Sequence, residues 1–176
     1  MSNPGQAPGA PPAGAGRRVI DVHCHPATAQ WFAAIRPYVE HLRTYWRRPW
    51  QPRTEEEVAA ELRAAGVEAM LVAFDTETVS QTPPCSNEHV AGMRDRHPDV
   101  FLGAWASVDP WKGDAALREA ERAVRDLKVT GFHFHPICGG FAVDDPQLRP
   151  LWETIAGLRV PVLIDTGTTG MGAGAA

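Results

Sequence analysis

Two H-x-H-P patterns carry most of the chemical potential of this sequence, and each ends a short apolar run. The first is VIDVHCHP, with His23 and His25; the second is GFHFHP, with His133 and His135. Residues two apart in an extended strand project from the same face. His23 and His25 therefore share a face, and two neutral imidazoles one strand-step apart can hold one divalent metal. Asp21 is one step further in on that face, placed to accept an N–H from a ligating imidazole. His133 and His135 share a face in the same way, with Phe132 and Phe134 on the other. Asp165 ends a further apolar run, PVLID, where its carboxylate can be a third ligand. Where parallel strands close into a barrel, their inward-facing ends converge on one mouth. His133 and His135 are thus expected to face the cavity of the first pair, as substrate-binding or auxiliary groups.

The elements that must position these groups repeat along the chain. Strands are predicted at Val19–Asp21, Ala69–Phe74, Val100–Ser107, Val129–His135 and Val160–Ile164. These runs lack strict alternation, as strands covered on both faces do. Helices are predicted between them. Thr54–Ala65 opens with Thr54 and Glu57 at capping-box spacing and is closed by Gly66. Ser86–Arg96 has Ser86 as N-cap and Pro98 beyond its end. Asp114–Leu127 shows Leu117, Ala120, Val124 and Leu127 at helical spacing, and Pro146–Leu158 follows the capping residue Asp145. Strands separated by helices make βαβ units and a parallel sheet. The fold class read from this is α/β: a partial (β/α)8 barrel of about five βα units.

The connection Pro26–Arg53 is long. It holds Trp31, Phe32, Tyr38, Tyr45, Trp46 and Trp50 together with Arg36, Arg43, Arg47, Arg48 and Arg53. Following a strand, it belongs at the C-terminal end of the sheet, where ligands bind in such folds. It reads either as a pocket wall offering an arginine to a substrate carboxylate, or as a helical excursion with buried aromatics and solvated arginines. His41, His89 and His97 fall in predicted helices or at their ends and read as surface histidines. Cys24 faces away from its histidine neighbours and reads as packing; Cys85 and Cys138 read as structural. The Gly-rich stretch after Asp165 can offer backbone N–H groups to an anion, but no Gly-Lys-Ser/Thr follows, so it is not a phosphate loop.

Composition sets the outer limits. Of 176 residues, 44% are hydrophobic and 22% charged, with a formal net charge of −4, which argues against nucleic-acid binding by bulk positive charge. No apolar run has the roughly 18 residues of a membrane span, and the N-terminus has no secretory core segment. Three widely spaced cysteines suggest reduced thiols, and a cytoplasmic location is expected. Residues 1–17 are Gly, Pro and Ala with little else and are expected to be a disordered tail, leaving 18–176 as one domain.

With these segments in view, the chain resembles the amidohydrolase superfamily. IDVHCHP, MLVAFDTET, PPCSNEHVA, RHPDVFLGAWASVDPWKGD, GFHFHP and PVLIDTGTTGMGAG occur in order. They are similar to the amidohydrolase-related branch that includes aminocarboxymuconate-semialdehyde decarboxylase. The resemblance implies a (β/α)8 barrel with a divalent metal at its C-terminal mouth, usually zinc. It implies His23 and His25 as ligands. The family's fifth-strand histidine falls on Asp165, and the lysine of its fourth-strand G-x-K-x-HP pattern falls on His133, while His135 matches. The family's strand-six histidine and catalytic strand-eight aspartate have no counterpart, so no catalytic residue is assigned and the chain is expected to be a truncated product or one segment of a longer protein.

The activity this implies is that of a metal-dependent hydrolase, with activated water attacking a small carboxylated or amide-like molecule. The alternatives are a non-oxidative decarboxylase of the same family, and a non-catalytic half-barrel or binding module. Expected partners are a small-molecule substrate and a second copy joined through exposed sheet edges, with neither nucleic acid nor membrane.

Overall fold

The computed structural model describes residues 18–47 and 49–166. The expected tail at 1–17, Arg48 and the glycine run from 167 lie outside them. Strand β1 (Val19–Cys24) leads into α1 (Ala29–Ala34), a 3-10 turn (Arg36–Tyr38), α2 (Val39–Trp46) and α3 (Glu55–Ala65). Then come β2 (Val67–Val72), α4 (Glu77–Ser80), α5 (Asn87–Arg96), β3 (Phe101–Ala106) and α6 (Asp114–Arg125). The chain continues with β4 (Gly131–Phe134), α7 (Pro136–Gly139), α8 (Arg149–Leu158) and β5 (Val162–Ile164).

The five strands pair in parallel in the order β1-β2-β3-β4-β5. They form a curled half-barrel with helices on its outside, which is the α/β architecture expected. The curl is visible in one contact: side chains from the two edge strands, His23 on β1 and Asp165 just after β5, meet at 3.4 Å. Alternation along β4 explains which groups face the hollow. Phe132 and Phe134 enter a core with Ala116, Ala120 and Ala123 of α6 and Leu151 and Ile155 of α8. His133, between them, therefore faces inward. A second core joins Cys24, Ala69 and Leu71 of β1 and β2 to Val58 and Ala59 of α3 and Val90 and Met93 of α5.

The local signals act as anticipated. Thr54 Oγ1 accepts from Glu57 N at 3.2 Å while Glu57 Oε2 accepts from Thr54 N at 2.8 Å, and Gly66 ends α3 at φ 67°. Ser86 Oγ accepts from His89 N at 3.2 Å at the start of α5. Most strand boundaries shift by one to three residues, and three differences have a visible cause. Strand β1 runs on to Cys24 because β2 supplies a pairing partner there, with a register break between Asp21 and Cys24. Helix α6 stops at Arg125, just before Lys128 takes the left-handed conformation at φ 55°. The last predicted helix is split: Asp145 Oδ1 accepts from Gln147 N at 2.9 Å to cap a 3-10 turn (Pro146–Leu148), and α8 follows with Pro150 in its first turn.

The Pro26–Arg53 connection is helical, and its aromatics divide. Trp31, Tyr38 and Leu42 are buried, whereas Tyr45 and Trp46 are exposed. Two of its arginines serve the scaffold: Arg43 donates to the Trp50 carbonyl, and Arg53 pairs with Glu61 and donates to the Glu57 carbonyl. No helix among the described residues is long and apolar enough to cross a membrane. Cys24, Cys85 and Cys138 are buried without disulfides, and burial pushes the thiols of Cys24 and Cys138 up to about 12.

Candidate metal centre

At the C-terminal ends of β1, β4 and β5 the structure brings together His23, His133 and Asp165. One donor atom from each lies within 4.8 Å of the other two. Strand β1 delivers His23 at its fifth residue and β4 delivers His133 at its third. The β4–β5 ladder places Asp165: Phe134 pairs with Ile164, and Asp165 N then donates to the Phe134 carbonyl at 3.0 Å.

The hydrogen bonds fix the protonation pattern. His133 Nδ1 lies 3.3 Å from the Ala73 carbonyl, which can only accept, so Nδ1 carries the proton. In the neutral ring Nε2 is then a lone pair, and it faces Asp165 Oδ2 at 3.4 Å. Two acceptors so placed call for a cation or a proton between them. His23 sets the same demand: its Nδ1 is 3.4 Å from Asp165 Oδ1, and its Nε2 is buried with no hydrogen-bond partner. A lone buried ring nitrogen is costly unless something binds it.

His135 is held the other way round. Its Nδ1 accepts from Cys138 N at 3.2 Å, so the neutral ring carries its proton on Nε2, which faces Asp165 Oδ2 at 3.6 Å. This is an N–H aimed at the carboxylate and not a free lone pair. The arrangement separates two histidines that the sequence reading grouped together.

His25 lies just beyond the end of β1. Its ring meets His23 edge-on at 5.0 Å and stacks on Trp31 at 4.7 Å, and its nitrogens fall outside the 4.8 Å group. Asp21 does not touch an imidazole: its Oδ1 accepts from the backbone N of His23 at 2.9 Å. The register break at this point replaces the expected side-chain partner with a local backbone turn.

Electrostatics favour the ligating forms. Burial, reinforced by neighbouring imidazoles, pushes His25 down to about 3. Burial likewise lowers His23 and His135 below the usual histidine range. Burial would raise Asp165, but the imidazoles of His133, His23 and His135 outweigh it and hold the carboxyl below its ordinary value. Lowered imidazoles of His23, His25 and His135 around an ionised Asp165 favour the binding of a divalent cation.

The other histidines lie elsewhere. His41 is exposed. His89 and His97 are half-buried and not the surface groups expected; His89 Nε2 lies 2.7 Å from Thr28 Oγ1, tying α5 to the turn after His25. The orienting groups at the centre, the Ala73 carbonyl and the Cys138 amide, are backbone atoms with no sequence signal. The signal for His133 was present, since it repeats the β1 pattern.

The family profile described as Amidohydrolase matches residues 20–175. The chain belongs to the amidohydrolase family. Among solved amidohydrolase-like structures, 5-carboxyvanillate decarboxylase from Novosphingobium aromaticivorans, complexed with manganese and 4-hydroxy-3-methoxy-5-nitrobenzoic acid, aligns at TM-score 0.62 and 18% identity over 85% of this chain and 50% of that one. The 2,6-dihydroxybenzoate decarboxylase complexed with its namesake ligand gives 0.54 and 21% over 84% and 49%. The 4-oxalomesaconate hydratase of Rhodopseudomonas palustris gives 0.50 and 18% over 83% and 51%. At these identities the likeness shows a shared fold, and the chain spans about half the length of the structures it matches. None of the curated proteins matches this chain in sequence.

Proposed function

We propose that His23, His133 and Asp165 hold a divalent metal, zinc in the first instance, at the site of a metal-dependent enzyme acting on a small carboxylated or amide-like substrate. One observation carries this: one donor atom each of His23, His133 and Asp165 lies within 4.8 Å of the other two, and the His23 ring keeps its Nε2 buried without a hydrogen-bond partner. Two nitrogens and one oxygen leave positions open, as catalytic sites do and closed structural sites do not. His25 is the next donor, neutral and in edge contact with His23.

When bound, a divalent metal supplies Lewis acidity, acidifying water and polarising a carbonyl or carboxylate oxygen. The chain's own groups do the rest. His133 is oriented by its Nδ1–H on the Ala73 carbonyl, and Asp165 stays ionised with the His135 Nε2–H facing it. Trp31 stacks over His25 and shields that side from water. Hydrolysis is the reaction taken first. Non-oxidative decarboxylation is the second reading, favoured by two of the similar structures, both decarboxylases and one holding manganese.

Titration of the metal-stripped chain with zinc and with manganese tests the reading. Expected is one tight equivalent in wild type and its loss in His23→Ala and His133→Ala. Absence of uptake, or equal uptake by the variants, overturns it. With metal bound, release of carbon dioxide from aromatic acids would replace hydrolysis by decarboxylation, and no turnover of acids, esters or amides would leave a metal-binding module.

A further inference from the structure

Ala73, whose carbonyl takes the Nδ1 proton of His133, lies one residue beyond the end of β2. Its own amide donates to the Trp105 carbonyl at 2.9 Å, and Phe74 forms an isolated bridge with Cys85. Beyond Phe74 the backbone leaves the sheet, and side chains take over the task of holding it.

They do so as a continuous chain of hydrogen bonds. Asp75 N donates to Ser107 Oγ at 3.1 Å, and Ser107 N donates to Asn87 Oδ1 at 2.8 Å. Asn87 Nδ2 donates to Glu119 Oε1 at 2.7 Å, and Arg122 donates to both oxygens of Glu119 at 2.7 Å. The chain thus runs from α6, through the first residue of α5 and the residue after β3, to the loop after β2. Asn87 and Ser107 are buried, so a partner lost there leaves a polar group unpaired at a cost. From the other side Lys112 Nζ grips the Asp75 carboxylate at 2.9 and 3.0 Å.

We infer that Asn87 and Ser107 are positioning residues of the metal centre: through Asp75 they hold the Ala73 carbonyl where it selects the Nδ1–H form of His133 and leaves Nε2 as the lone pair. The selection needs such a hold. Which ring nitrogen carries the proton is set by the hydrogen bond that the ring makes, and His133 has an acceptor at each end. The Ala73 carbonyl lies 3.3 Å from Nδ1 and Asp165 Oδ2 lies 3.4 Å from Nε2. A carbonyl that drifts from Nδ1 yields the proton to the Asp165 side, and a nitrogen that carries the proton has no lone pair for a cation. The bearing on metal affinity rests on the metal-centre reading; the bearing on the tautomer does not.

The test is a long-range 1H–15N correlation of the metal-free, 15N-histidine-labelled chain at neutral pH, where protonated and unprotonated ring nitrogens resonate far apart. His133, assigned by its absence in His133→Gln, is expected in the Nδ1–H form. Ser107→Ala and Asn87→Ala should each move the His133 nitrogens toward the Nε2–H form and weaken zinc binding about tenfold. Ser107→Thr, which keeps the acceptor oxygen, should restore both. Val58→Ala, in the core against α3, should lower the thermal midpoint and leave the His133 nitrogens in place, which separates positioning from loss of stability. A wild-type His133 in the Nε2–H form, or unmoved His133 nitrogens in a folded Ser107→Ala, overturns the inference; if Ser107→Ala does not fold, Asn87→Ala decides in the same way. Zinc uptake by wild type with unmoved nitrogens in the variants sinks this inference alone. A tautomer shift in the variants without zinc uptake by wild type sinks the metal reading alone.

Discussion

His133 and His135 differ by two positions and by one hydrogen bond, and the hydrogen bond decides what each can do. The Ala73 carbonyl takes the Nδ1 proton of His133 and frees Nε2, whereas the Cys138 amide takes the Nδ1 lone pair of His135 and leaves Nε2–H toward Asp165. Loss of His133 should therefore abolish metal binding outright. Loss of the supporting His135, as His135→Ala, should weaken it by about 10–100-fold, the usual cost of removing an outer partner. Calorimetric zinc titrations check the order, with His25→Ala expected between the two. Strand periodicity showed that these histidines share a face, but not which ring nitrogen would carry the proton, because a carbonyl sixty positions away and a following amide set it.

The same residues give the metal-free chain an acid-sensitive fold. His23, His25 and His135 are all lowered, His25 to about 3. As pH falls below about 6.5, the unfolded chain takes up protons that the folded chain refuses. Their contribution is thus complete above that pH and declines below it, by up to about 1.4 kcal/mol per pH unit for each such histidine. Urea unfolding of metal-free protein between pH 7.5 and 5 should show this decline, and His25→Gln should flatten it. An unchanged slope in that variant would mean that His25 is not held neutral by the fold.

At the scale of elements, the metal group depends on how closely β4 approaches its neighbours. A Cβ on Gly131 would overlap the Pro161 backbone carbonyl and the Trp105 ring. Gly131→Ala must push β5 or β3 away and move His133 relative to Asp165. Overpacking of this kind costs about 1–3 kcal/mol, so the thermal midpoint should fall and zinc affinity with it. Most elements were legible because their signals are local: the Thr54–Glu57 cap, the Ser86 cap and the alternating Phe132 and Phe134 act within a few residues. What escaped depends on partners far along the chain. Strand β1 extends past Asp21 because β2 lies beside it, and the register break that results sends His25 toward Trp31 and Asp21 toward a backbone amide.

For the molecule as a whole, the metal group joins the two edges of the sheet. His23 belongs to β1 and Asp165 follows β5, and among the described residues each of these strands pairs on one side only. Val19, Ile20 and Val22 leave β1 with exposed apolar side chains, the kind of edge that invites self-pairing. Sedimentation of the chain should show concentration-dependent association that Ile20→Lys suppresses; a monomer at all concentrations would remove the expectation of a second copy.

The same topology makes a bound cation a clasp between the first and last strands. Without it, the β1 and β5 ends are held together across the hollow by one imidazole–carboxylate contact, His23 Nδ1 to Asp165 Oδ1 at 3.4 Å, longer than a good hydrogen bond. A ligand that binds only the folded chain stabilises it by about 2.7 kcal/mol at a free concentration one hundred times its Kd. For a domain of this size that corresponds to a rise of roughly 5–10 °C in thermal midpoint. Zinc should therefore raise the midpoint of wild type by about that amount, and chelation should reverse it. His133→Ala should show neither effect. A wild-type midpoint indifferent to saturating zinc would mean that the strand ends are closed by their own side chains and that no cation bridges them.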